Sequence, residues 1–284
     1  MGPPRPDGFH ELTTVYQAVG LYDDLVLRRA RGVSVEVRGE GADAVPTDGS
    51  NLAVRAAHLL AEATGHPPEV AITVSKTIPV AGGCAGGSAD AAAALLGCDA
   101  LWGTGLRREE LAELAARLGS DVPFSLQGAT ALGTGRGEQL APVLTRGTFS
   151  WVLAVADGGL STPAVYAELD RLRATQAPRV ASGNAAVLAA LRSGDTAALG
   201  RALSNDLQAA ALSLRPDLAR LLAAAAELGA VAALVSGSGP TVALLTRDGD
   251  QADGLVAALA GRDLCRRVLR ADGPVPGARL VEVT

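Results

Sequence analysis

The chain has 284 residues and a net charge of −5, with 48% hydrophobic, 19% charged and only 3% aromatic residues. This length is sufficient for two domains with well-buried cores. The sequence contains neither a run of eighteen apolar residues nor a basic-then-apolar leader, so we expect a soluble, cytoplasmic protein without a membrane partner. The acidic balance argues against nucleic acid as the main partner.

The cysteines and histidines offer little metal chemistry. Cys84, Cys98 and Cys265 are odd in number and lack metal-ligand spacing, which argues against a disulfide framework and a zinc site. The three histidines are too scattered to suggest a metal cluster. Cys84 lies in a glycine-rich loop, where we interpret it as a small filler rather than a nucleophile.

In chain order, alternating apolar and polar residues predict strands, and apolar residues at helical spacing predict helices. In the first half, strands are expected at residues 12–19, 24–28, 33–37 and 70–74, and helices at 52–60, from Ser88 onward and at 108–118. A glycine turn at residues 133–137 separates two short strands. Strands followed by mixed helices favour an α+β architecture over a regular βαβ array.

A strand at residues 151–156 opens a second domain, so we predict a division into residues 1–147 and 148–284. The elements expected there are helices at residues 164–173, 184–191, 196–211 and 215–229 and strands at 231–235 and 241–245. Gly237, Ser238 and Gly239 lie between the last two strands. The residues favour a hairpin there, with close approach to a phosphate or to the first glycine loop as the alternative.

The most informative segment is the loop that runs from Ile78 through four glycines to Asp90. Its residues predict the end of a strand, then a loop with four glycines, then the first turn of an alanine-rich helix. Freed backbone amides and a helix N-terminus favour an anion such as a nucleotide phosphate. Ser88 stands where a Walker loop requires lysine, and no G-x-G-x-x-G fingerprint is present, which excludes both of those motifs. The alternative is that the glycines only permit close helix packing.

Three further positions suggest chemistry. Lys76 is the single lysine among 25 basic residues and precedes the loop, which suggests a point charge beside a phosphate or, alternatively, chance. Asp121 lies where the backbone changes direction and could accept a hydroxyl proton, although such residues are usually surface turn residues. Phe9 and His10 could stack on and hydrogen-bond a base, but two adjacent residues are weak support.

Taken together, several segments resemble the GHMP kinase superfamily and, within it, the 4-diphosphocytidyl-2-C-methyl-D-erythritol kinases of the non-mevalonate isoprenoid pathway. The segments that carry the resemblance are residues 5–12, 48–52, 79–94, 118–124, 203–207 and 236–241. The resemblance covers essentially the whole chain. It implies a two-domain α+β fold, with an N-terminal domain like that of ribosomal protein S5 domain 2, a ferredoxin-like C-terminal domain, and the site in the cleft between them.

The resemblance also implies roles for individual residues. The loop would wrap the phosphates of ATP through Pro79, Val80, Ala81, Gly82, Gly83, Cys84, Ala85, Gly86, Gly87 and Ser88. Ser88 would lie near Mg²⁺, Lys76 and Asn51 would line the nucleoside, and Asp121 would be the catalytic base toward the 2-hydroxyl of the substrate. The cytidine-diphosphate-linked methylerythritol would contact Phe9, His10, Tyr166, Gly237, Ser238 and Gly239.

One departure from the family pattern concerns the N-terminus. Members begin with a strand that carries a lysine and an asparagine, and that lysine lies beside the catalytic aspartate, whereas only four residues precede Arg5 here. We expect that the true start lies upstream of Met1, which genomic sequence would test. If Met1 is the true start, we expect an unpaired sheet edge and severely reduced kinase activity.

Two alternatives remain open from the sequence. One is another kinase of the superfamily, acting on homoserine or a mevalonate-type alcohol. The other is a nucleotide-binding chain with impaired catalysis because the lysine strand is missing. We expect a monomer or a weak homodimer.

Overall fold

A computed structural model describes Gly2, Arg5, residues 8–174 and residues 184–281. The chain forms two compact units. The first unit contains Gly2–Val80, Ala85–Pro142 and Val275–Thr284. The second contains Ala81–Cys84 and Val143–Pro274. The tip of the glycine loop therefore packs with the second unit, and the C-terminal segment packs with the first.

The first unit contains two three-stranded sheets. One sheet has the order β1 (Leu12–Gln17), β5 (Thr130–Gly135) and β6 (Gln139–Pro142), with antiparallel neighbours. The other has the order β2 (Asp24–Arg28), β4 (Val70–Lys76) and β3 (Val33–Gly39). β3 and β4 are parallel, and helix α1 (Leu52–Thr64) connects them, as a parallel pair requires a crossover. A short 3-10 turn, Ala42–Ala44, follows β3.

Three further helices complete the first unit: α2 (Gly86–Trp102), α3 (Arg108–Leu118) and α4 (Val122–Gln127). α2 buries alanines 91, 92 and 94 completely, and these small side chains suit close packing against α1. Cys98 on the same helix is also fully enclosed, and burial raises the pKa of its thiol to about 12. A thiol with this pKa stays protonated at neutral pH, so Cys98 serves in packing and not as a nucleophile.

The second unit contains a four-stranded antiparallel sheet in the order β10, β7, β9, β8. Its strands are β7 (Phe149–Val155), β8 (Ala232–Val235), β9 (Thr241–Thr246) and β10 (Arg267–Gly273). Its helices are α5 (Thr162–Arg173), α6 (Ala185–Ser193), α7 (Thr196–Ala202), α8 (Gln208–Leu214), α9 (Leu218–Glu227) and α10 (Gly249–Ala260). Helices between the first and second and between the third and fourth strands give the ferredoxin-like β-α-β-β-α-β arrangement. The α+β fold expected from the sequence is confirmed.

The single helix predicted at residues 196–211 is wrong, because the chain breaks between α7 and α8. Asn205 causes the break because its side chain binds the backbone of β8 and of the turn that follows β8. Its Nδ2 donates to the carbonyl oxygens of Val235 (2.8 Å) and Gly237 (2.7 Å), and its Oδ1 accepts from Leu207 N–H (2.9 Å). Asparagine favours such backbone bonds over a helix interior.

The segment after β10 returns to the first unit as an extended strap, residues 275–279. Val275 N–H donates to Ala18 O (3.1 Å), and Val275 O accepts from Ala129 N–H (2.7 Å). Ala278 N–H donates to Ser125 O (2.9 Å), and Pro276 pairs with Gly128. Helix α4 is thereby held at its C-terminal end.

Among the described residues, no helix combines the length and apolarity needed to cross a bilayer.

Candidate functional site

The glycine loop leaves its backbone donors free. Ala81, Gly83 and Ala85 have positive φ values of 57°, 72° and 55°, and alternation of this kind characterises backbone nests that bind anions. Within the described residues, none of the N–H groups of residues 82–88 donates a hydrogen bond to another protein atom. The last of these belong to the first turn of α2, where the helix dipole also favours negative charge. The loop therefore fits a phosphate group.

The tip of the loop packs against the β8–β9 turn. A Cβ atom on Gly83 would overlap the Gly239 carbonyl, so this position has no room for a side chain. The Thr241 hydroxyl, fully buried, donates to Gly82 O. Cys84 Sγ lies 3.6 Å from the same hydroxyl oxygen, and burial raises the pKa of its thiol, as expected for a small filler.

The second glycine cluster is a hairpin, as the sequence favoured. Val235 pairs with Val242 across β8 and β9, and Gly237 and Gly239 have φ values of 55° and 83°. Ser238 Oγ lies 2.9 Å from Thr162 Oγ1 at the start of α5. The hairpin also approaches the first loop, the other possibility considered from the sequence.

Lys76 ends β4 and lies in a buried ionic cluster. Its Nζ is 2.5 Å from Asp23 Oδ2 and 2.7 Å from Asp90 Oδ2. Burial raises the pKa of Asp90 to about 7, against the opposing effect of Lys76. The predicted nucleoside contact of Lys76 stays a prediction, since two of its three donors are already bound to carboxylates.

Asn51 caps helix α1. Its Oδ1 accepts from Ala53 N–H (2.8 Å) and Val54 N–H (3.5 Å), and its Nδ2 donates to Pro46 O (2.7 Å). Both polar atoms of this buried side chain therefore serve the fold. Its predicted role beside the nucleoside stays a prediction. Ser88 is the third residue of α2 and partly exposed, so its hydroxyl lies in the first helical turn.

Asp121 immediately precedes α4, and its side chain does not cap that helix. Burial raises the pKa of Asp121, while a hydrogen bond from Ser120 opposes the shift. A raised pKa makes the ionised carboxylate a better proton acceptor. Ser125 N–H donates to the Asp121 carbonyl (3.0 Å), so the first turn of α4 fixes the backbone that carries this carboxylate.

The predicted base-binding residues differ in exposure. Phe9 is half exposed, and the Arg136 guanidinium lies 5.0 Å from its ring centroid, a cation–π arrangement. His10 is buried. Tyr166 belongs to α5 in the second unit and packs on the apolar cluster around Val165. Their joint role in binding cytosine stays a prediction.

Three residues that support these segments are not evident from the sequence. Asp23 lies between β1 and β2 without any motif around it, and it binds Lys76 53 positions away. Thr241 supports Gly82 from 159 positions away. Asn205 and Thr241 belong to the 203–207 and 236–241 segments that carry the family resemblance, but the resemblance assigns neither of them a role.

Comparison with known proteins decides the family. The family model for the GHMP kinases N terminal domain matches residues 51–129, and the model for the GHMP kinases C terminal region matches residues 187–263. The 4-diphosphocytidyl-2-C-methyl-D-erythritol kinase of Nocardia farcinica is 58% identical over 282 residues, which cover 99% of this chain and 92% of that protein. The chain belongs to the GHMP kinase family. The kinase of the same name from Mycobacterium tuberculosis is 56% identical over 281 residues, covering 99% and 88% of the two chains.

Solved structures agree with membership in the GHMP kinases. A crystal structure of 4-(cytidine 5′-diphospho)-2C-methyl-D-erythritol kinase superposes with a TM-score of 0.76 at 32% identity, covering 95% of this chain and 92% of that chain. Homoserine kinase from Cytophaga hutchinsonii reaches a TM-score of 0.72 at 19% identity over 93% and 90% of the two chains, which shows a shared fold alone. This GHMP kinase is therefore an ATP-dependent small-molecule kinase, as expected from the sequence.

Proposed function

We propose that this GHMP kinase phosphorylates the 2-hydroxyl of 4-diphosphocytidyl-2-C-methyl-D-erythritol with ATP. The observation that carries the proposal is the 58% identity, over 99% of the chain, to a relative named for this acceptor. Likeness of fold alone does not distinguish acceptors, because homoserine kinase shares the fold at 19% identity. The local geometry of the loop and of Asp121 supports the two halves of the reaction separately.

The phosphate half of the reaction is supported by the glycine loop. Its N–H groups at residues 82–88 are unpaired within the described residues, and a triphosphate would accept hydrogen bonds from them. We assign to this role the predicted set from Pro79 to Ser88. When they bind the phosphates of ATP, these N–H groups hold the transferring phosphate in place and stabilise its charge. Positioning and charge stabilisation are most of what phosphoryl transfer requires from a protein.

The Ser88 hydroxyl is the protein oxygen that we propose for Mg²⁺. It lies in the first turn of α2, and Ser88 carries the last of the unpaired amides. Magnesium is commonly bound through a small number of protein oxygens together with substrate phosphates. When bound, Mg²⁺ supplies positive charge that neutralises the phosphate oxygens.

The acceptor half of the reaction is supported by Asp121. Its carboxylate accepts the proton of the attacking hydroxyl, and burial, which raises its pKa, strengthens it as a base once ionised. We propose Phe9, His10 and Tyr166 as the contacts of the cytosine base, because aromatic and imidazole side chains stack on and hydrogen-bond bases. The backbone at Gly237, Ser238 and Gly239 would border the acceptor.

Acceptor-dependent release of ADP tests this proposal. Purified protein is incubated with ATP and either 4-diphosphocytidyl-2-C-methyl-D-erythritol, homoserine or mevalonate, and ADP is measured against a reaction without acceptor. We expect turnover with the first acceptor only, and loss of turnover in Asp121→Asn. Turnover with homoserine or mevalonate instead would contradict the proposed acceptor, and tight ATP binding without turnover on any acceptor would indicate a nucleotide-binding protein.

A further inference from the structure

Three charged side chains lie buried below the start of α2. The side chains of Asp23, Lys76 and Asp90 are 1%, 3% and 7% exposed. They come from three elements of the first unit: the β1–β2 connection, the end of β4 and the first turns of α2. Burying charged groups is strongly unfavourable unless they are paired, so the pairing of Lys76 with both carboxylates is what allows this cluster to be buried.

Asp23 is the most heavily bonded member of the cluster. One oxygen accepts from Lys76 Nζ (2.5 Å). The other accepts from Thr77 N–H (2.6 Å) and Ile78 N–H (2.9 Å). These two amides belong to the backbone that leaves β4 and enters the glycine loop. A single carboxylate therefore holds both the last side chain of the strand and the first peptide groups of the loop.

Asp90 holds the other side of the loop. It lies on α2, and its Oδ2 accepts from Lys76 Nζ at 2.7 Å. Lys76 Nζ would be 3.2 Å from a Cβ atom on Gly86, the first residue of α2. An ammonium so close to a helix N-terminus is unfavourable by itself, because that end of the dipole is positive. The two carboxylates remove this penalty and let Lys76 connect the residues before the loop to the helix after it.

We propose that Asp23 and Asp90 are positioning residues for the phosphate-binding loop, acting through Lys76 and, for Asp23, through the N–H groups of Thr77 and Ile78. The inference rests on the proposed function, since it assigns nucleotide phosphate to that loop. It also gives Lys76 a task that needs no contact with the nucleotide. Asp23 accepts from three donors and Asp90 from one, so Asp23 carries more of the positioning.

The test compares Asp23→Asn, Asp90→Asn and Asp24→Asn. Asp24 adjoins Asp23 in sequence but is exposed, which makes it a matched control. Asparagine at position 23 must present an amide donor either to Lys76 or to the two backbone N–H groups. We therefore expect Asp23→Asn to weaken ATP affinity by about 10-fold or more, since hydrogen bonds to charged groups are lost. Asp90→Asn can keep its one contact through its amide oxygen, and we expect a change of about 3-fold or less.

Kinetics separate positioning from general loss of stability. In Asp23→Asn we expect a higher KM for ATP and an unchanged KM for the acceptor, whereas partial unfolding would lower the active fraction without moving either KM. The effect of Asp23→Asn on ATP affinity should also be smaller in a Lys76→Met background, because Asp23 positions the loop partly through its ion pair with Lys76. Equal ATP affinity in the Asp23 and Asp24 variants would overturn the proposal.

Amide exchange tests the same inference without any variant or activity. In the native protein we expect the amides of Thr77 and Ile78 to exchange at least about 10-fold more slowly than those of Gly82 and Gly83, which lack acceptors. Equal exchange at these four amides would contradict the role of Asp23. If the native protein binds ATP but phosphorylates no acceptor, the proposed function fails while the affinity comparison still tests the cluster. If it binds no nucleotide, both fail.

Discussion

Gly83 and Gly239 approach each other so closely that a Cβ atom on Gly83 would overlap the Gly239 carbonyl. Gly83 also has a φ of 72°, a conformation that other L-residues adopt at a cost. Two glycine-rich turns that are 156 positions apart in the sequence thus pack backbone against backbone in the second unit. Their contact explains why a glycine is needed at 83 for a reason separate from phosphate binding.

The first prediction concerns this contact. Gly83→Ala should lower the free energy of unfolding by about 2 kcal/mol or more, because it adds left-handed strain and an overlap with backbone. Gly254→Ala is the control, since Gly254 lies within α10 with no atom near its Cβ position. That change should be neutral or stabilising by up to about 1 kcal/mol. Chemical denaturation measures both, and equal effects would contradict the packing argument.

The second prediction concerns Thr241, which donates to Gly82 O from inside the protein. Thr241→Val keeps the shape but removes the hydroxyl donor from that carbonyl, which keeps only the weak thiol donor of Cys84 at 3.8 Å, at a cost of roughly 1–3 kcal/mol. We expect weaker ATP binding together with lower stability. Thr246→Val on the same strand loses bonds to Ser150 O and Asp248 O, so it should lower stability alone. Isothermal titration with ATP distinguishes the two.

The third prediction concerns Asp121 as the base. Asp121→Asn should reduce kcat by about 10²–10⁴-fold, the usual contribution of a general base, and leave the KM for ATP unchanged. In the native enzyme, kcat/KM for the acceptor should fall as the pH is lowered through the pKa of Asp121. Because burial raises that pKa, the fall should begin at a higher pH than for an ordinary aspartate. If kcat/KM for the acceptor does not fall as the pH is lowered, Asp121 is excluded as the base.

The fourth prediction concerns stability and Asp90, whose pKa burial raises from 3.8 to about 7. A pKa raised on folding means that the folded state holds the proton more tightly. This contribution to stability is therefore fully present below about pH 4 and is lost as the pH rises to about 7, with a limiting slope of about 1.4 kcal/mol per pH unit.

Asp90→Asn should abolish this pH-dependent contribution. Denaturation of the native protein and the variant between pH 4 and 8 gives the difference between their free energies of unfolding. The native protein should lose stability relative to the variant up to about pH 7, after which the difference becomes constant. A difference that does not change with pH would contradict the raised pKa.

The fifth prediction concerns the C-terminal strap, which holds α4 at the end opposite Asp121. A Cβ atom on Gly277 would lie 2.6 Å from the carbonyl oxygens of Ser125 and Leu126. Gly277→Ala should displace α4 and lower kcat by about 10-fold or more, because small misplacements of a catalytic group are costly. ATP affinity should be unchanged, since the backbone hydrogen bonds of the strap join it to Ala18, Ser125 and Ala129, which lie outside the glycine loop. A parallel loss of ATP affinity would indicate a wider disturbance.

Much of the fold follows from local sequence signals. The helix predicted at residues 108–118 coincides with α3, because its apolar spacing and the glycine that follows it are local features. Local sequence signals did not predict the break at Asn205. Residues 196–211 satisfy helical periodicity, and only the distant carbonyls of Val235 and Gly237, which bind Asn205 Nδ2, decide against one continuous helix.

The glycine loop, the second glycine hairpin and the family follow from the sequence alone, since each shows in short segments of contiguous residues. The residues that surround the loop come together only when the chain folds. Asp23 and Thr241 lie 53 and 159 positions from the residues they hold, and the strap reaches α4 from the end of the chain. Long-range hydrogen bonds and buried ion pairs leave no periodic trace in a sequence, because their geometry is set by how the elements pack.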